Sequence, residues 1–323
     1  MHQRNGFIIN IKRRRMFMNI DINNNIEELK ISELLDTDKK IYIPKKTLKE
    51  RIGTFSRHIL LIFISIATFF PFIWMVTSAL KSRQEIFTFP PNIIPANPNW
   101  HIFSDVFKEA PFATYMFNSL SVATIEVIFQ IISAAMIAYA LTQFKFVGRK
   151  VLFGIVMCTY MLPSAVTYVP CYIILGKLNL LDTLTGLTIS NLVNVLGIFL
   201  IRQAFMQVDK SFIEAARVDG ASHIKILWKI MFPLTKPTFI TFGLISFVTY
   251  YNEYMYPSLI TKSPEKFLIS AGIRQFFIQD GAYGTKWPEI MAASTITVLP
   301  LLILFLIAQK WFMDGVGGVT VDK

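Results

Sequence analysis

Residues 211–233, SFIEAARVDGASHIKILWKIMFP, form a polar and amphipathic segment between two long apolar runs. Ser211 and Glu214 have the spacing of a capping box, in which two side chains satisfy backbone N–H groups at the start of a helix. Gly220 can adopt the left-handed conformation that ends a helix without strain. The segment therefore predicts two short helices around a glycine hinge.

The second of these helices is predicted to be amphipathic and to end at Pro233, which cannot continue a helical hydrogen-bond ladder. Its apolar residues recur at helical spacing and predict one buried face. They are Ile224, Leu227, Trp228 and Met231. On these features alone, a generic amphipathic loop at a membrane surface is the simpler interpretation.

The composition indicates a polytopic membrane protein. The chain has 323 residues, of which 53% are hydrophobic and 14% aromatic, and its apolar runs are longer than a soluble domain needs. The net charge of +11 is attributed to cytoplasmic lysine and arginine, so no nucleic-acid partner is expected. Cys158 and Cys171 lack CxxC spacing, and we interpret them as small apolar core residues.

Six apolar segments approach the ~20 residues that span a bilayer as a helix. Pro71 is expected to kink the first segment, and Pro163 and Pro170 to break the third. The segments cover residues 59–80, 118–141, 151–175, 184–205, 237–259 and 290–308. The predicted fold class is therefore an all-α integral membrane protein with six transmembrane helices.

The flanking regions are predicted to be tails. Residues 1–57 are basic and expected to be partly disordered, and they contain no apolar core of the signal-peptide type. Residues 58–312 form the predicted membrane domain, with a loop at 206–236, and residues 313–323 form a short second tail.

Positive charges predict the orientation of the spans. With the amino terminus inside, 24 of the 32 lysine and arginine residues lie on the cytoplasmic side and 8 lie outside. Counting only from Ile43 onward leaves 16 inside against 8 outside. Both termini and the loop at 206–236 are therefore predicted to be cytoplasmic.

The order of residues in the loop adds a resemblance to these physical features. Glu214-Ala215-Ala216, three residues, Gly220, nine residues, Ile230 and Pro233 resemble the EAA loop of bacterial ABC importer permeases, with Phe232 where that pattern usually has leucine. In that family the loop is a coupling helix that docks in a groove of the cytoplasmic ATPase. The resemblance implies an ATPase-coupling site formed by Glu214, Ala215, Ala216, Asp219, Gly220, Ile230 and Pro233.

Other segments are similar to permeases of the maltose-type carbohydrate uptake family. They include Pro71-Phe72-Ile73-Trp74-Met75, Ser78-Ala79-Leu80-Lys81, Asn118-Ser119-Leu120 and Gly197-Ile198-Phe199-Leu200-Ile201-Arg202-Gln203. Tyr251-Asn252 stands where that subfamily usually has Trp-Asn. The resemblance implies the type I importer permease fold in a bacterial cytoplasmic membrane, carrying a sugar or oligosaccharide.

The same resemblance implies the partners. They are a second permease subunit, two cytoplasmic ATPase subunits, an extracellular solute-binding protein and the lipid bilayer. This chain contains no G-x-x-x-x-G-K-[ST] and no H-E-x-x-H motif, so no P-loop nucleotide site or zinc site is expected in it. Accordingly, we expect a transport subunit that is not an enzyme and binds no cofactor, with ATP and Mg²⁺ on the partner ATPase.

Polar residues inside the predicted spans are costly unless they face protein or water. One interpretation is a sugar pathway, and the other is interhelical hydrogen bonding that holds the bundle together. A different class of function, an ion-coupled carrier or polytopic membrane enzyme, would use Glu126 and Glu253 as proton relays. The candidate pathway residues are Glu126, Asn191, Asn194, Tyr251, Asn252 and Glu253.

Overall fold

The computed structural model describes residues 48–278 and 286–316, and the chain divides into two units, Met1–Ile66 and Ala67–Lys323. Most of the predicted basic tail, and the last seven residues of the chain, lie outside the described residues. The first unit is described only as the beginning of helix α1 (Leu48–Ala79), so residues 48–57 of the predicted tail are helical. There the Arg57 side chain donates to the Gly53 carbonyl at 3.0 Å.

The described part of the second unit consists of helices and their connections, without β-strands. Two long helices, α4 and α14, follow the longest apolar runs, and shorter helices lie between them. The helices after α1 are α2 (Arg83–Ile86), α3 (Ile102–Glu109), α4 (Phe112–Gln143), α5 (Arg149–Tyr160), α6 (Ser164–Lys177), α7 (Leu184–Ser190), α8 (Val195–Gln207), α9 (Lys210–Val218), α10 (His223–Leu234), α11 (Lys236–Tyr251), α12 (Met255–Ile260), α13 (Ile269–Ile278) and α14 (Trp287–Val316).

Three described helices are long and apolar enough to cross a membrane: Gly53–Ala79, Phe112–Gln143 and Trp287–Lys310. Three further pairs of consecutive helices pass the same test together, each bent by more than 40° at a short break, so the total is up to six if each pair is one span. The chain is therefore a multi-pass membrane protein.

The break in the third predicted span occurs at Pro163, where α5 and α6 meet at 96°. Pro170 instead lies inside α6. The segment predicted over 184–205 is a bent pair of helices, because the chain leaves the helix after Ser190 and resumes at Val195 with a bend of 44°. Side chains of a neighbouring helix stabilise this break, as described below.

Helix α4 lies at the centre of the second unit and contacts both α8 and α11. Small residues at this contact, Ala134, Ala135 and Ala138, are fully buried and let the backbones approach. Gly197 on α8 faces Phe242 on α11, and a Cβ added at residue 197 would lie 2.3 Å from Phe242 Cζ. A side chain larger than glycine therefore does not fit there.

The cysteines differ from their predicted environment. Cys158 is exposed and Cys171 is half-buried, and both are free thiols. The interpretation of Cys158 as a core residue is wrong because its position on α5 faces away from the helices that α5 packs against. Cys171 lies on α6 beside a cavity.

Candidate functional site

Helix α9 of the loop begins at Asp209, not at the predicted capping box. The Asp209 carboxylate accepts a hydrogen bond from the Ser211 backbone N–H at 2.9 Å, so Ser211 lies inside the first turn. Hydrogen bonds from the Ser211 backbone and side chain hold the pKa of Asp209 below its usual value. A carboxylate at this position also complements the positive end of the helix dipole.

The predicted glycine hinge is present in the structure. Gly220 has φ +72°, and its N–H donates to the Arg217 carbonyl at 3.0 Å. The Ala221 N–H donates to the Ala216 carbonyl at 2.9 Å, which closes the end of α9. Ser222 then caps α10 by accepting from the Lys225 N–H at 3.4 Å. The segment is two short helices joined at a left-handed glycine.

Each helix of the loop has one face buried in the membrane bundle. Ile213 and Ala216 of α9 are buried in the same cluster as α4, α8 and α11. The opposite face of α9 is exposed, and Phe212 and Val218 are 54% and 88% exposed. The predicted coupling residues Glu214, Ala215, Asp219 and Gly220 are exposed on this side.

The buried face of α10 differs from the predicted one. Ile226, Leu227 and Met231 are buried, whereas Ile224 is 73% exposed. Leu227–Met231 forms a π-helical turn, so a face calculated at 3.6 residues per turn does not follow the buried side. Ile230 is half-buried against the cluster.

The predicted end of α10 at Pro233 is wrong by one residue. Pro233 lies in the last turn of the helix, and α10 ends at Leu234 before an 84° bend into α11. A proline in this position fixes φ at a helical value and only prevents one backbone hydrogen bond.

Polar contacts that the sequence did not indicate join the loop to the end of α4. The Tyr139 hydroxyl lies 3.0 Å from His223 Nδ1, and the Phe144 and His223 rings are 4.9 Å apart. Tyr139 also interacts electrostatically with Arg217 of α9. Both helices of the loop are thus attached to one aromatic side chain of the bundle.

A cavity of about 400 Å³ lies among α5, α6, α7, α8 and α11. Three of the predicted pathway residues, Asn191, Asn194 and Glu253, line it. No lysine, arginine or histidine is among the described residues that line it. Four of its other lining residues carry phenolic rings: Tyr160, Tyr168, Tyr250 and Tyr256.

Glu126 lies behind this cavity in a buried hydrogen-bond network. Glu126 is 2% exposed, and its Oε1 accepts from Asn191 Nδ2 at 3.1 Å. Gln130 Nε2 donates to the Asn191 carbonyl at 2.6 Å, and Ser133 Oγ donates to the Leu192 carbonyl at 2.9 Å. Side chains of α4 therefore satisfy the carbonyls that the break between α7 and α8 leaves without helical partners.

The cavity's polar groups are oriented by neighbours. Asn194 Oδ1 accepts from the Gly197 N–H at 3.2 Å, which caps α8, and Asn194 Nδ2 donates to the Tyr250 hydroxyl at 3.4 Å. Tyr168 and Glu253 both line the cavity and interact electrostatically. Asn194 therefore serves both the helix start and the cavity wall.

Besides Glu126, two of the predicted pathway residues do not line the cavity. Tyr251 is fully buried, and its hydroxyl donates to the Thr297 carbonyl on α14 at 3.2 Å. Asn252 is exposed, and its Nδ2 donates to the Val248 carbonyl at 2.8 Å. The candidate pathway residues did not include the polar lining residues of α6, which are Ser164, Thr167 and Tyr168. Among the described residues, no cluster of three His, Cys, Asp or Glu side chains could hold a metal ion.

Comparison with known proteins gives a consistent set of matches. Residues 127–317 match the family model described as "Binding-protein-dependent transport system inner membrane component". The chain is 32% identical over 264 residues to the sn-glycerol-3-phosphate transport system permease protein UgpE of Yersinia enterocolitica, covering 80% of this chain and 94% of that protein. UgpE of an Escherichia coli O1:K1 strain is 30% identical over 271 residues, covering 81% and 95%.

The fold also matches solved structures. A chain from a bacterial ABC transporter involved in the import of the acidic polysaccharide alginate aligns with a TM-score of 0.73 at 23% identity, covering 83% of this chain and 99% of that chain. A chain from the alginate transporter in complex with an alginate pentasaccharide-bound periplasmic protein aligns with a TM-score of 0.58 at 17% identity, covering 82% and 96%.

Proposed function

The chain belongs to the family of inner-membrane components of binding-protein-dependent transport systems, and from that premise we propose that its loop at 206–236 couples a partner ATPase to a saccharide cavity. It is a permease subunit of an ABC importer and is not itself an enzyme. Its partners are ATPase subunits, an extracellular solute-binding protein and, in this proposal, a second permease. ATP and Mg²⁺ would bind the ATPase. The carrier or membrane-enzyme alternative has no support from these matches.

The observation that carries the coupling proposal is the outward face of the loop. Phe212, Val218 and Ile224 are apolar and 54–88% exposed, beside the carboxylates Glu214 and Asp219. Exposed apolar groups with flanking charges are typical of protein interaction sites. The proposal assigns the exposed residues Glu214, Ala215, Asp219, Gly220 and Pro233 to this coupling site. It also includes Ala216 and Ile230, which pack the two helices against the bundle.

Two helices connect the loop to the cavity. Helix α8 is capped by Asn194 in the cavity wall and ends at Gln207, where the loop begins. The helix is ~20 Å long. Helix α11 follows the loop and ends beside Tyr250 and Glu253. A displacement of the loop by the ATPase would therefore move two walls of the cavity. This supports alternating access driven from the loop.

We further propose that the loop and both termini are cytoplasmic, in a bacterial cytoplasmic membrane. The excess of lysine and arginine on that side supports this orientation. The domain limits proposed are a cytoplasmic tail at 1–57, the membrane domain at 58–312 and a second cytoplasmic tail at 313–323.

The cavity favours a neutral sugar or oligosaccharide. Its lining offers hydroxyls, amides, aromatic rings and the carboxyl of Glu253, and the described residues of the lining include no cationic side chain. Glu126 lies behind the cavity. An anionic solute would meet a carboxylate at close range in a site of low dielectric, which is repulsive. The compounds for which these relatives are named, sn-glycerol-3-phosphate and alginate, are anions, so we propose that this chain differs from them in the charge of its substrate.

Uptake by cells that hold the complete transporter tests this proposal. Neutral mono- and disaccharides should be imported in preference to sn-glycerol-3-phosphate and alginate oligosaccharides. Glu253→Gln should reduce import of the neutral sugar about tenfold, because the sugar loses one hydrogen bond to a charged group. The amount of assembled complex should stay unchanged. Asn252→Ala, outside the cavity, is the matched control. Import of only the anionic compounds would contradict the proposed substrate.

A further inference from the structure

A second cavity, of about 600 Å³, lies on the loop side of the bundle. Its walls are the last turn of α4, the connection between α4 and α5, the end of α8, and α9. The transport pathway described above does not use this cavity. It is therefore a separate feature of the molecule that needs its own account.

Cationic side chains dominate the lining of this second cavity. Five of its described lining residues carry a positive charge, and one, Glu214, carries a negative charge. Within the described part of the chain, none of the five forms a salt bridge. They are Lys145, Arg149, Arg202, Lys210 and Arg217.

Neighbouring groups hold the guanidinium groups in place. Arg149 Nη1 donates to the carbonyls of Thr142 and Phe144 at 3.4 and 3.2 Å. Arg217 interacts electrostatically with the Tyr139 hydroxyl. Each of these arginines keeps further N–H groups beyond these bonds, because a guanidinium has five donors in a rigid fork.

Arg202 gives the clearest sign that the cavity suits an anion. Its guanidinium lies 4.0 Å from the centre of the Phe153 ring. Its Nε is buried and makes no hydrogen bond in the structure. A buried donor without an acceptor costs free energy, and an anion in the cavity would supply the acceptor.

We propose that this cavity binds a phosphate group, either of a phospholipid headgroup or as free phosphate or a phosphate ester. A phosphate has three or more acceptor oxygens and enough charge to face several cations at once. Phe205, Met206 and Val208 add an apolar part to the lining, which suits the organic portion of an ester or a lipid. Binding would be sensitive to salt because most of the lining charges are near the surface.

The site would link two parts of the molecule. Lys210 and Arg217 lie on α9, whereas Lys145, Arg149 and Arg202 lie on the bundle. A phosphate between them would hold the loop against the bundle. The effect of the bound phosphate on coupling, and the cytoplasmic location of the site, rest on the proposed function. The binding of phosphate to the cavity does not.

Binding of ³²P-orthophosphate to the assembled transporter in phosphatidylcholine nanodiscs tests the free-phosphate source. Lys145→Gln and Lys210→Gln should each weaken the site about tenfold, the loss of one charge-assisted hydrogen bond. Lys229→Gln is the matched control, because Lys229 is exposed on α10 and does not line the cavity. Phosphate bound by the ATPase subunits is common to all variants and cancels in the comparison.

Native mass spectrometry of the complex purified from membranes tests the lipid source. The parent should retain phosphatidylglycerol, and the two cavity variants should lose it while Lys229→Gln keeps it. A positive result in either experiment supports the proposal and identifies the source of the phosphate. If neither ligand binds, or if all three variants behave alike, the proposal is overturned. If only the phosphate proposal fails, the same complex should still import substrate with ATP. Loss of ATP-driven import would instead indicate that the proposed function fails.

Discussion

Asp209 determines where helix α9 begins, because its carboxylate accepts the Ser211 N–H at 2.9 Å. A charged acceptor at the first turn satisfies a backbone donor and interacts favourably with the helix dipole. Ser211 was the predicted cap, but its backbone is the donor in this bond. The two residues are close in sequence and have different roles in the helix.

Replacing these two residues separately should therefore have unequal effects. Asp209→Ala should cost about 1 kcal/mol of local helix stability. Ser211→Ala should cost less, because it removes the serine hydroxyl and keeps the backbone N–H that Asp209 accepts. Hydrogen exchange of the complex should show amides in the first turn of α9 exchanging about fivefold faster in Asp209→Ala. Equal exchange in the two variants, or a larger effect of Ser211→Ala, would restore the capping box as the better description.

At the scale of elements, Asp182 ties two connections together at the end of the bundle away from the loop. Its Oδ1 accepts from the backbone N–H groups of Lys262 and Ser263 at 2.8 and 3.0 Å, and Ser263 Oγ donates to Oδ2. Lys266 Nζ lies 3.5 Å from Oδ2. These hydrogen bonds, with a smaller contribution from the Lys266 charge, hold the pKa of Asp182 well below its usual value.

A lowered pKa predicts the sign of the pH dependence. The stabilisation from Asp182 should be complete above its unfolded pKa of about 4. It should be lost as the pH falls from there through the lower folded value. Asp182→Asn should therefore lower the Tm of the complex at pH 7, and the difference from the parent should shrink below about pH 4.

Asp105→Asn is the control for this prediction. Asp105 pairs with Lys108 at 3.0 Å on the same helix and is exposed, so its loss should change the Tm little. A Tm difference for Asp182→Asn that stays constant from pH 7 to pH 3 would contradict the assigned role.

The sequence predicted the long elements well and their interruptions poorly. Apolar length alone identifies α1, α4 and α14. The break between Ser190 and Val195 depends on hydrogen bonds from Gln130 and Ser133 of another helix, which spacing along the chain cannot show. In α10, the π-helical turn altered the spacing on which the predicted buried face was based.

Only part of the candidate cavity could be predicted, again because the lining depends on how helices pack against one another. Asn191, Asn194 and Glu253 line it, but Tyr251 and Asn252 do not. The last turn of α11 decides this, since neighbouring residues at a helix end point in directions about 100° apart. Polarity and depth selected the correct segment, and only the packing of α11 against α14 separates the lining residues from the others.

At the scale of the whole molecule, the orientation of the loop is open to a direct test. Ser222→Cys and Asn99→Cys place single thiols at two exposed positions, in a chain whose Cys158 and Cys171 are replaced by serine. A membrane-impermeant maleimide should label residue 222 only in inverted vesicles and residue 99 only in intact cells. Labelling of both positions from the same side would contradict the topology.

The central claim is that the loop transmits ATPase movement to the membrane helices. Gly220 is the most informative position, because a Cβ there would meet no atom within 4 Å and the only obstacle to a side chain is φ +72°. Gly220→Val should cost ~1–3 kcal/mol of backbone strain and shift α10 relative to α9. Gly53→Val is the matched control, since Gly53 also has open space but lies within a helix without positive φ.

The decisive measurement is ATP hydrolysis and substrate import by the reconstituted complex with its loaded binding protein. For Gly220→Val, the account predicts normal assembly in the membrane, loss of substrate-stimulated ATP hydrolysis and loss of import. Glu214→Ala should show the same defect in a milder form, and Gly53→Val should behave like the parent. If Gly220→Val and Glu214→Ala both hydrolyse ATP and import substrate as the parent does, the loop is not the coupling element.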